Sequence, residues 1–250
     1  MQTGLTVGDS IERLQDTAGG VDVDFVELSI GESGYAPGSR DDDLRDALAA
    51  VGADLHVHLP FDQVVATPVA QFNEAVVDYL RELLAWAGTV GAEKAVLHGT
   101  TRDPHDTDQR AVFADQLRSI DAAGAEAGVE VVVENVGHQR RGLQLSVLGD
   151  LARETGTAVC FDVGHAYAED GHEGIERSLA EYGDLVSHLH VHDVRSRGDT
   201  HLPLGAGEID YARVADLLPE FDGTVAAEVF TDDVPLLSDT IDRIETHLDG

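Results

Sequence analysis

The residues that could do chemistry in this chain stand at the ends of apolar segments. The stretch AVCFDVGHAY, residues 158–167, carries Asp162 at the end of an apolar run and His165 three positions later. Burying polar groups at the end of a strand costs free energy, so we expect these groups to be paired or to serve a function. Five more apolar runs end on His, Asp or Glu: residues 55–60, 95–100, 131–137, 188–193 and 225–230. Six apolar runs that end in this way predict that their polar residues form one shared site.

The elements that must position these side chains alternate regularly along the sequence. Eight apolar runs alternate with eight amphipathic segments, and helices are expected, among others, at 173–183 and 210–220. Continuous β-branched runs such as 129–137 indicate strands buried on both faces, and therefore a parallel sheet. The pattern predicts one α/β domain over residues 1–250, a (β/α)8 TIM barrel. An open doubly wound sheet is the alternative.

In a parallel barrel all carboxyl ends of the strands meet on one rim, where barrel enzymes place their chemistry. The polar face of each strand must then be the barrel interior, because the other face packs on helices. Three carboxylates converging there would repel unless they were protonated or bridged by a cation. The convergent set is Glu134, Asp162, His165, His190 and Glu228, with His58 and His98 on neighbouring strands.

A divalent metal at the rim resolves this repulsion. Its expected ligands are Glu134, Asp162, His190 and Glu228. Mixed nitrogen and oxygen ligation suits Mn²⁺, Mg²⁺, Co²⁺ or Zn²⁺ and does not choose among them. A purely structural polar network of the same four residues is the alternative.

Other polar residues have less specific interpretations. His56 and His188 lie deeper in their strands and are expected in the core. His192 and Asp193 either support the site or cap a loop. In the loop that follows, Asp199 could ligate a further metal together with His165 and His201, or these residues could contact substrate. The histidines expected at the surface are His105, His138, His172 and His247.

The charge balance limits the possible partners. The formal net charge is −32, from 48 acidic and 16 basic residues spread over the chain. We interpret this as a surface adapted to high salt, as in a halophile, where screening offsets self-repulsion. Such a field repels nucleic acid unless a local basic groove overcomes it. Cys160 is the only cysteine, which suits a reducing interior, and no apolar run approaches membrane-spanning length. We therefore expect a cytoplasmic protein.

The ordered motifs resemble the xylose-isomerase-like TIM barrels over nearly the whole chain. They are Glu134 on the fifth strand, DxGH on the sixth, HxHD on the seventh, DxHLPLGxGEID after it and Glu228 on the eighth. That superfamily includes sugar phosphate isomerases/epimerases, ketose 3-epimerases and abasic-site nucleases of the endonuclease IV type.

The isomerase/epimerase resemblance implies one divalent metal that binds the carbonyl and adjacent hydroxyl oxygens of a sugar. Glu134 and Glu228 would be the acid/base pair that moves a proton beside the carbonyl through a cis-enediolate. His165 would hold a substrate hydroxyl. This branch implies a small-molecule carbohydrate substrate, and a homo-oligomer is possible.

The chain departs from the ketose 3-epimerases at two positions. Those enzymes have a glutamate six residues after the strand-five Glu, where this chain has Arg140. They have an arginine six residues after the strand-seven His, where this chain has Ser196 between Arg195 and Arg197. These differences argue against a free ketohexose. The three arginines could instead bind a phosphate or carboxylate of the substrate.

The endonuclease IV resemblance implies instead up to three zinc ions that activate water against a phosphodiester. All nine ligand types are present: His58, His98, Glu134, Asp162, His165, His190, Asp199, His201 and Glu228. The net charge and the sequence PFDQ at 60–63, where that family has PYxxN, argue against it. We therefore predict a metal-dependent sugar or sugar-phosphate isomerase/epimerase. The alternatives are an abasic-site nuclease and a non-catalytic barrel that serves as a scaffold.

Overall fold

The computed structural model describes residues 1–32, 34–137, 141–198, 200–219 and 221–248. Eight parallel strands in these ranges close into a barrel in chain order. This closed barrel confirms the predicted (β/α)8 architecture and excludes the open doubly wound sheet. The strands are β1 Gln2–Gly8, β2 Phe25–Ser29, β3 Asp54–His58, β4 Ala92–His98, β5 Glu130–Glu134, β6 Ala158–Asp162, β7 Val186–Val191 and β8 Thr224–Ala227.

A helical segment follows every strand. A π-helical turn, Leu14–Ala18, extends the first helix, and a 3₁₀ turn, Gly183–Leu185, precedes β7. None of the helices in the described ranges is long and apolar enough to span a bilayer. The helices are α1 Ile11–Arg13, α2 Asp41–Val51, α3 Ala70–Val90, α4 Thr107–Ala127, α5 Leu145–Thr155, α6 Val163–Tyr182, α7 Tyr211–Ala215 and α8 Val234–Leu248.

Two helices differ from their predicted extents. We expected a helix at 173–183, but α6 begins ten residues earlier, because the Asp162 side chain accepts the His165 backbone N–H (2.5 Å) and caps it. A kink at Gly171 (φ 66°) separates its two parts. The helix expected at 210–220 is only the short α7, since the chain then runs into Pro219 and the residue before proline disfavours helix.

The strands have one face on the helices and the other inside the barrel. The outer faces form most of the hydrophobic core, while a small separate cluster of Val96, Val132 and Cys160 lies inside. Below the rim the Phe25 ring stacks on His56, with ring centroids 3.9 Å apart. A Cβ on Gly4 would lie 2.4 Å from the Phe25 ring, so the bare glycine makes room for it.

Candidate active site at the carboxyl ends of the strands

Glu134 lies at the centre of the polar rim. It is the last residue of β5 and 1% exposed. Its Oε2 atom is 3.3 Å from His58 Nε2 and 3.2 Å from His98 Nε2, and its Oε1 atom faces His165 and His190. Burial would raise the pKa of this carboxyl, but the surrounding imidazoles, His98 and His190 first, hold the pKa well below its usual range. Glu134 is therefore an ionised carboxylate.

The four predicted metal ligands come together around this carboxylate. Glu134, Asp162, His190 and Glu228 each offer one ligand atom, and these atoms lie within 4.8 Å of one another. Glu228 follows β8 directly and is held there by its backbone N–H, which donates to Val191 O (3.0 Å). The predicted rim position of this set, which we call the metal cluster, agrees with the geometry.

The donor atoms of the metal cluster fit a cation. Fourteen buried side-chain atoms of the described residues lack a well-directed hydrogen bond, and four of them lie in the metal cluster: Glu134 Oε1, Asp162 Oδ2, His190 Nδ1 and Glu228 Oε2. One belongs to each predicted ligand. Buried polar atoms are rarely left unsatisfied, and three carboxylates beside one imidazole are a donor set that divalent ions take. These residues could therefore hold a metal ion.

Asp162 is fixed from three sides. Asn135, which follows Glu134, accepts the Asp162 backbone N–H at 2.8 Å and donates to Asp162 O at 2.9 Å. The Asp162 carboxylate caps α6 and lies 3.3 Å from His192 Nε2. Although burial opposes ionisation, His165 and His192 lower the pKa of Asp162 to about 2. Sequence reasoning did not single out Asn135 as the residue that clamps this ligand.

The described residues contain three further groups of ligand-type side chains. One is Cys160, His188 and His190, and the other two contain the remaining histidines of the nine-residue set. His58, His98 and Glu134 form one group, which shares its carboxylate with the cluster. His165, His192 and His201 form the other. The structure therefore brings together every described member of the nine-residue set. Asp199 lies outside the described residues.

His192 supports the rim rather than capping a loop. It is completely buried and stacks on His201, with ring centroids 3.9 Å apart, and His201 stacks in turn on Phe230. A Cβ on Gly164 would come within 2.1 Å of the His192 ring. The glycine of the DxGH motif is thus explained by close approach of a side chain from the HxHD motif.

For His192 and Asp193 we expected either support of the site or capping of a loop, and Asp193 caps a loop. Its carboxylate accepts backbone N–H groups from both ends of the segment between β7 and α7. These donors are Val194 (2.9 Å), Gly205 (3.0 Å), Gly207 (2.8 Å) and Ile209 (3.1 Å).

Two of the three arginines predicted for the substrate, Arg195 and Arg197, are paired with backbone carbonyls outside the cavity. Arg195 donates to Ala206 O, and Arg197 donates to Glu169 O. Neither lines the cavity above the cluster. Arg140, like the expected surface residue His138, lies outside the described residues. A substrate role for these arginines stays a prediction.

Sequence reasoning missed Glu27. This β2 residue is 1% exposed, and its Oε2 atom lies 3.2 Å from Nε2 of both His188 and His190. Burial opposes its ionisation, but the two imidazoles hold its pKa well below the usual range. The available signal was strand alternation, because Phe25, Glu27 and Ser29 share the inward face of β2.

A cavity of about 740 Å³ opens above the metal cluster. Glu134 and Glu228 form part of its floor, while Phe61 and Phe230, 41% and 69% exposed, stand in its walls. Arg13, from α1, is the only arginine or lysine among the described residues that line it. The site therefore combines a charged floor, apolar walls and one cation.

The model of one protein family matches residues 17–248, nearly the whole chain; it describes a xylose isomerase-like TIM barrel. The chain belongs to this family. The membership confirms the resemblance that the strand-end motifs predicted. A xylose isomerase-like barrel places its strand ends on one rim, and the metal cluster lies on that rim here.

Known proteins similar to this family member include one relative by sequence and two by structure. The uncharacterized protein MJ1311 of Methanocaldococcus jannaschii is 25% identical over 190 residues, 70% of this chain. The chain spans 64% of the length of that relative, slightly under two thirds.

Two solved structures share the fold of this xylose isomerase-like barrel. A D-tagatose 3-epimerase-like protein superposes with a TM-score of 0.84 over 100% of this chain and 97% of its own, at 20% identity. The D-allulose 3-epimerase from Methylomonas sp., solved in complex with D-allulose, gives 0.82 over 99% and 97%, at 15% identity.

Proposed function

We propose that this protein is a metal-dependent isomerase or epimerase of sugars or sugar phosphates. The observation that carries the proposal is the convergence of two ionised glutamates, Glu134 and Glu228, on one metal cluster beneath an open cavity. The names of the two solved relatives, both 3-epimerases of sugars or epimerase-like, support the same reaction class.

The metal cluster would supply Lewis acidity. A divalent ion held by Glu134, Asp162, His190 and Glu228 would polarise the carbonyl and adjacent hydroxyl oxygens of the sugar and favour a cis-enediolate. Burial opposes ionisation of Glu228 as well, but His190 lowers its pKa, so both glutamates are available as bases. One would remove the proton beside the carbonyl, and the other would hold the proton that returns.

The two oxygens of Glu134 have separate environments that suit this role. Oε1 faces His190 of the metal cluster (3.7 Å from Nδ1), whereas Oε2 faces His58 and His98. A proton taken up at Oε2 would lie between two imidazoles. Burial lowers the pKa of His58, but its hydrogen bond to Glu134 outweighs that and raises it, so His58 can share the proton.

The rest of the cavity would bind the body of the substrate. Phe61 and Phe230 would cover the apolar face of a sugar and exclude water. For a sugar phosphate, Arg13 is the residue placed to meet the phosphate, because a guanidinium pairs with phosphate oxygens in a planar, bidentate manner.

The test is exchange of substrate hydrogen with solvent. Metal-loaded protein in KCl and D₂O is incubated with a panel of ketoses, aldoses and their phosphates, and deuterium beside the carbonyl is measured by NMR. We expect exchange with at least one member, and a loss of about 10²-fold or more for Glu134→Gln and for Glu228→Gln. Glu82→Gln, an exposed carboxylate on α3, is the matched control and should leave the rate unchanged. Full activity in both site variants would refute the mechanism.

The nuclease is the second candidate, and a specific observation favours it. His58 and His98 approach the same Glu134 oxygen at 3.3 and 3.2 Å, which forms a second potential metal site that shares this carboxylate. If both sites were filled, both Glu134 oxygens would be ligands and neither could take a proton. Cleavage of an oligonucleotide with one abasic site, abolished by His98→Ala, would establish this candidate.

A further inference from the structure

We propose that Glu27 is a positioning residue of the metal cluster, which fixes His190 as an Nδ1 ligand through a buried hydrogen-bond chain ending at Thr224. The proposal rests on the metal cluster of the proposed function, but it holds for either reaction considered above. Glu27 lines the deep part of the cavity, but both of its ring partners are on β7, and we assign its effect on the metal cluster to His190.

The first observation is the place of Glu27 between two histidines. His188 and His190 are two residues apart on β7 and both point into the barrel. Each presents Nε2 to Glu27 Oε2 at 3.2 Å, and the second carboxylate oxygen of Glu27 is also 3.2 Å from His190 Nε2. All three side chains are at most 1% exposed. Water therefore does not compete for these contacts.

The second observation is the direction of the hydrogen bonds at Glu27. An ionised carboxylate can only accept hydrogen bonds, so each Nε2 that faces Glu27 must carry a proton. In a ring that is protonated at Nε2 alone, which is the form of histidine that binds a metal through Nδ1, the Nδ1 atom is a lone-pair acceptor. For His188 it accepts from the Thr224 hydroxyl at 2.6 Å.

The third observation is that Nδ1 of His190, the ring nitrogen away from Glu27, faces the metal cluster. Its Nδ1 atom lies 3.3 Å from Glu228 Oε2 and 3.7 Å from Glu134 Oε1, two predicted ligand atoms. Carboxylate–histidine–metal arrangements fix the ring orientation and tautomer and make the imidazole a stronger ligand, and losing such a partner weakens metal binding about 10–100-fold. Glu27 therefore supports His190 from the side of the ring that faces away from the metal cluster.

The test is metal binding without any sugar. Protein stripped with chelator in molar KCl is titrated with Zn²⁺ by calorimetry, for the wild type, Glu27→Gln and a control, Glu130→Gln. Glu130 is a half-exposed glutamate at the other end of the barrel, paired with Lys94. We expect Zn²⁺ affinity to fall about 10–100-fold in Glu27→Gln and to stay within twofold in the control. The amide can accept from only one of the two Nε2–H groups.

A spectroscopic readout separates positioning from mere stability. In Zn²⁺-loaded, ¹⁵N-histidine-labelled wild type, His190 should show a protonated Nε2 that is protected from exchange, and Glu27→Gln should lose this protection. If Glu27→Gln does not fold, Glu27→Asp replaces it: the shorter side chain cannot reach both rings, so its affinity should also fall. Unchanged affinity in a folded variant would overturn the proposal. A wild type that binds Zn²⁺ but exchanges no sugar hydrogen would overturn only the proposed isomerase.

Discussion

At the scale of single residues, ionisation in the rim follows from which groups face each other. Burial alone would protonate Glu134 and Asp162, yet each carboxylate contacts at least two imidazoles, and these keep both ionised. For His98 the balance is reversed. Its burial outweighs the attraction of the nearby Glu134 carboxylate, so the pKa of His98 is lowered. Ionised carboxylates are the form in which these side chains can bind a metal.

Residue types and strand positions were enough to predict that the four expected metal ligands and the adjoining histidines come together at the rim. The period of two along each strand predicts which side chains point inward, and parallel order predicts that their ends meet. Glu27 was not predicted as a site residue, because it lies on a strand whose end carries no histidine or aspartate. Its partners are on β7, and such a contact across the barrel is visible only once the barrel is closed.

Gly164 gives a test at this scale. Replacing it with alanine would place a Cβ 2.1 Å from the buried His192 ring, so Gly164→Ala should lower the free energy of unfolding by about 1–3 kcal/mol. In the control, Gly183→Ala, the new Cβ meets no atom within 4 Å and the backbone is already helical (φ −57°), so stability should stay equal or rise. Thermal unfolding in molar KCl measures both. Equal stabilisation by the two alanines would contradict the assigned contact.

At the scale of elements, existence and type were predictable and some ends were not. Periodicity predicted eight strands alternating with eight helical segments, and the closed barrel has this order. The predicted start of α6 was wrong, because Asp162 caps a helix that begins directly after β6. This difference matters chemically, because it places His165 on the first helical turn, with its Nδ1 3.1 Å from Asn135 O.

At the scale of the whole molecule, the net charge of −32 works against compactness. The Debye length is about 3 Å at 1 M salt and about 10 Å at 0.1 M, so dilute buffer lets the surface carboxylates repel one another. We expect the melting temperature to fall when KCl is lowered from about 1 M to about 0.1 M, by about 2–4 °C for each kcal/mol of added repulsion. NaCl should act like KCl, since screening depends on ionic strength. A melting temperature that is independent of salt would contradict the predicted high-salt adaptation.

The metal content of the purified chain tests the central claim most directly. Protein prepared in high salt without chelator would be analysed by plasma mass spectrometry, alongside Asp162→Ala and the exposed-site control Glu82→Gln. The isomerase account predicts one Mn, Mg, Co or Zn ion per chain in the wild type and the control, and loss of that ion in Asp162→Ala. Two or three zinc ions per chain would contradict it in favour of the nuclease. No bound metal, with no loss of stability on adding chelator, would contradict both and favour the scaffold.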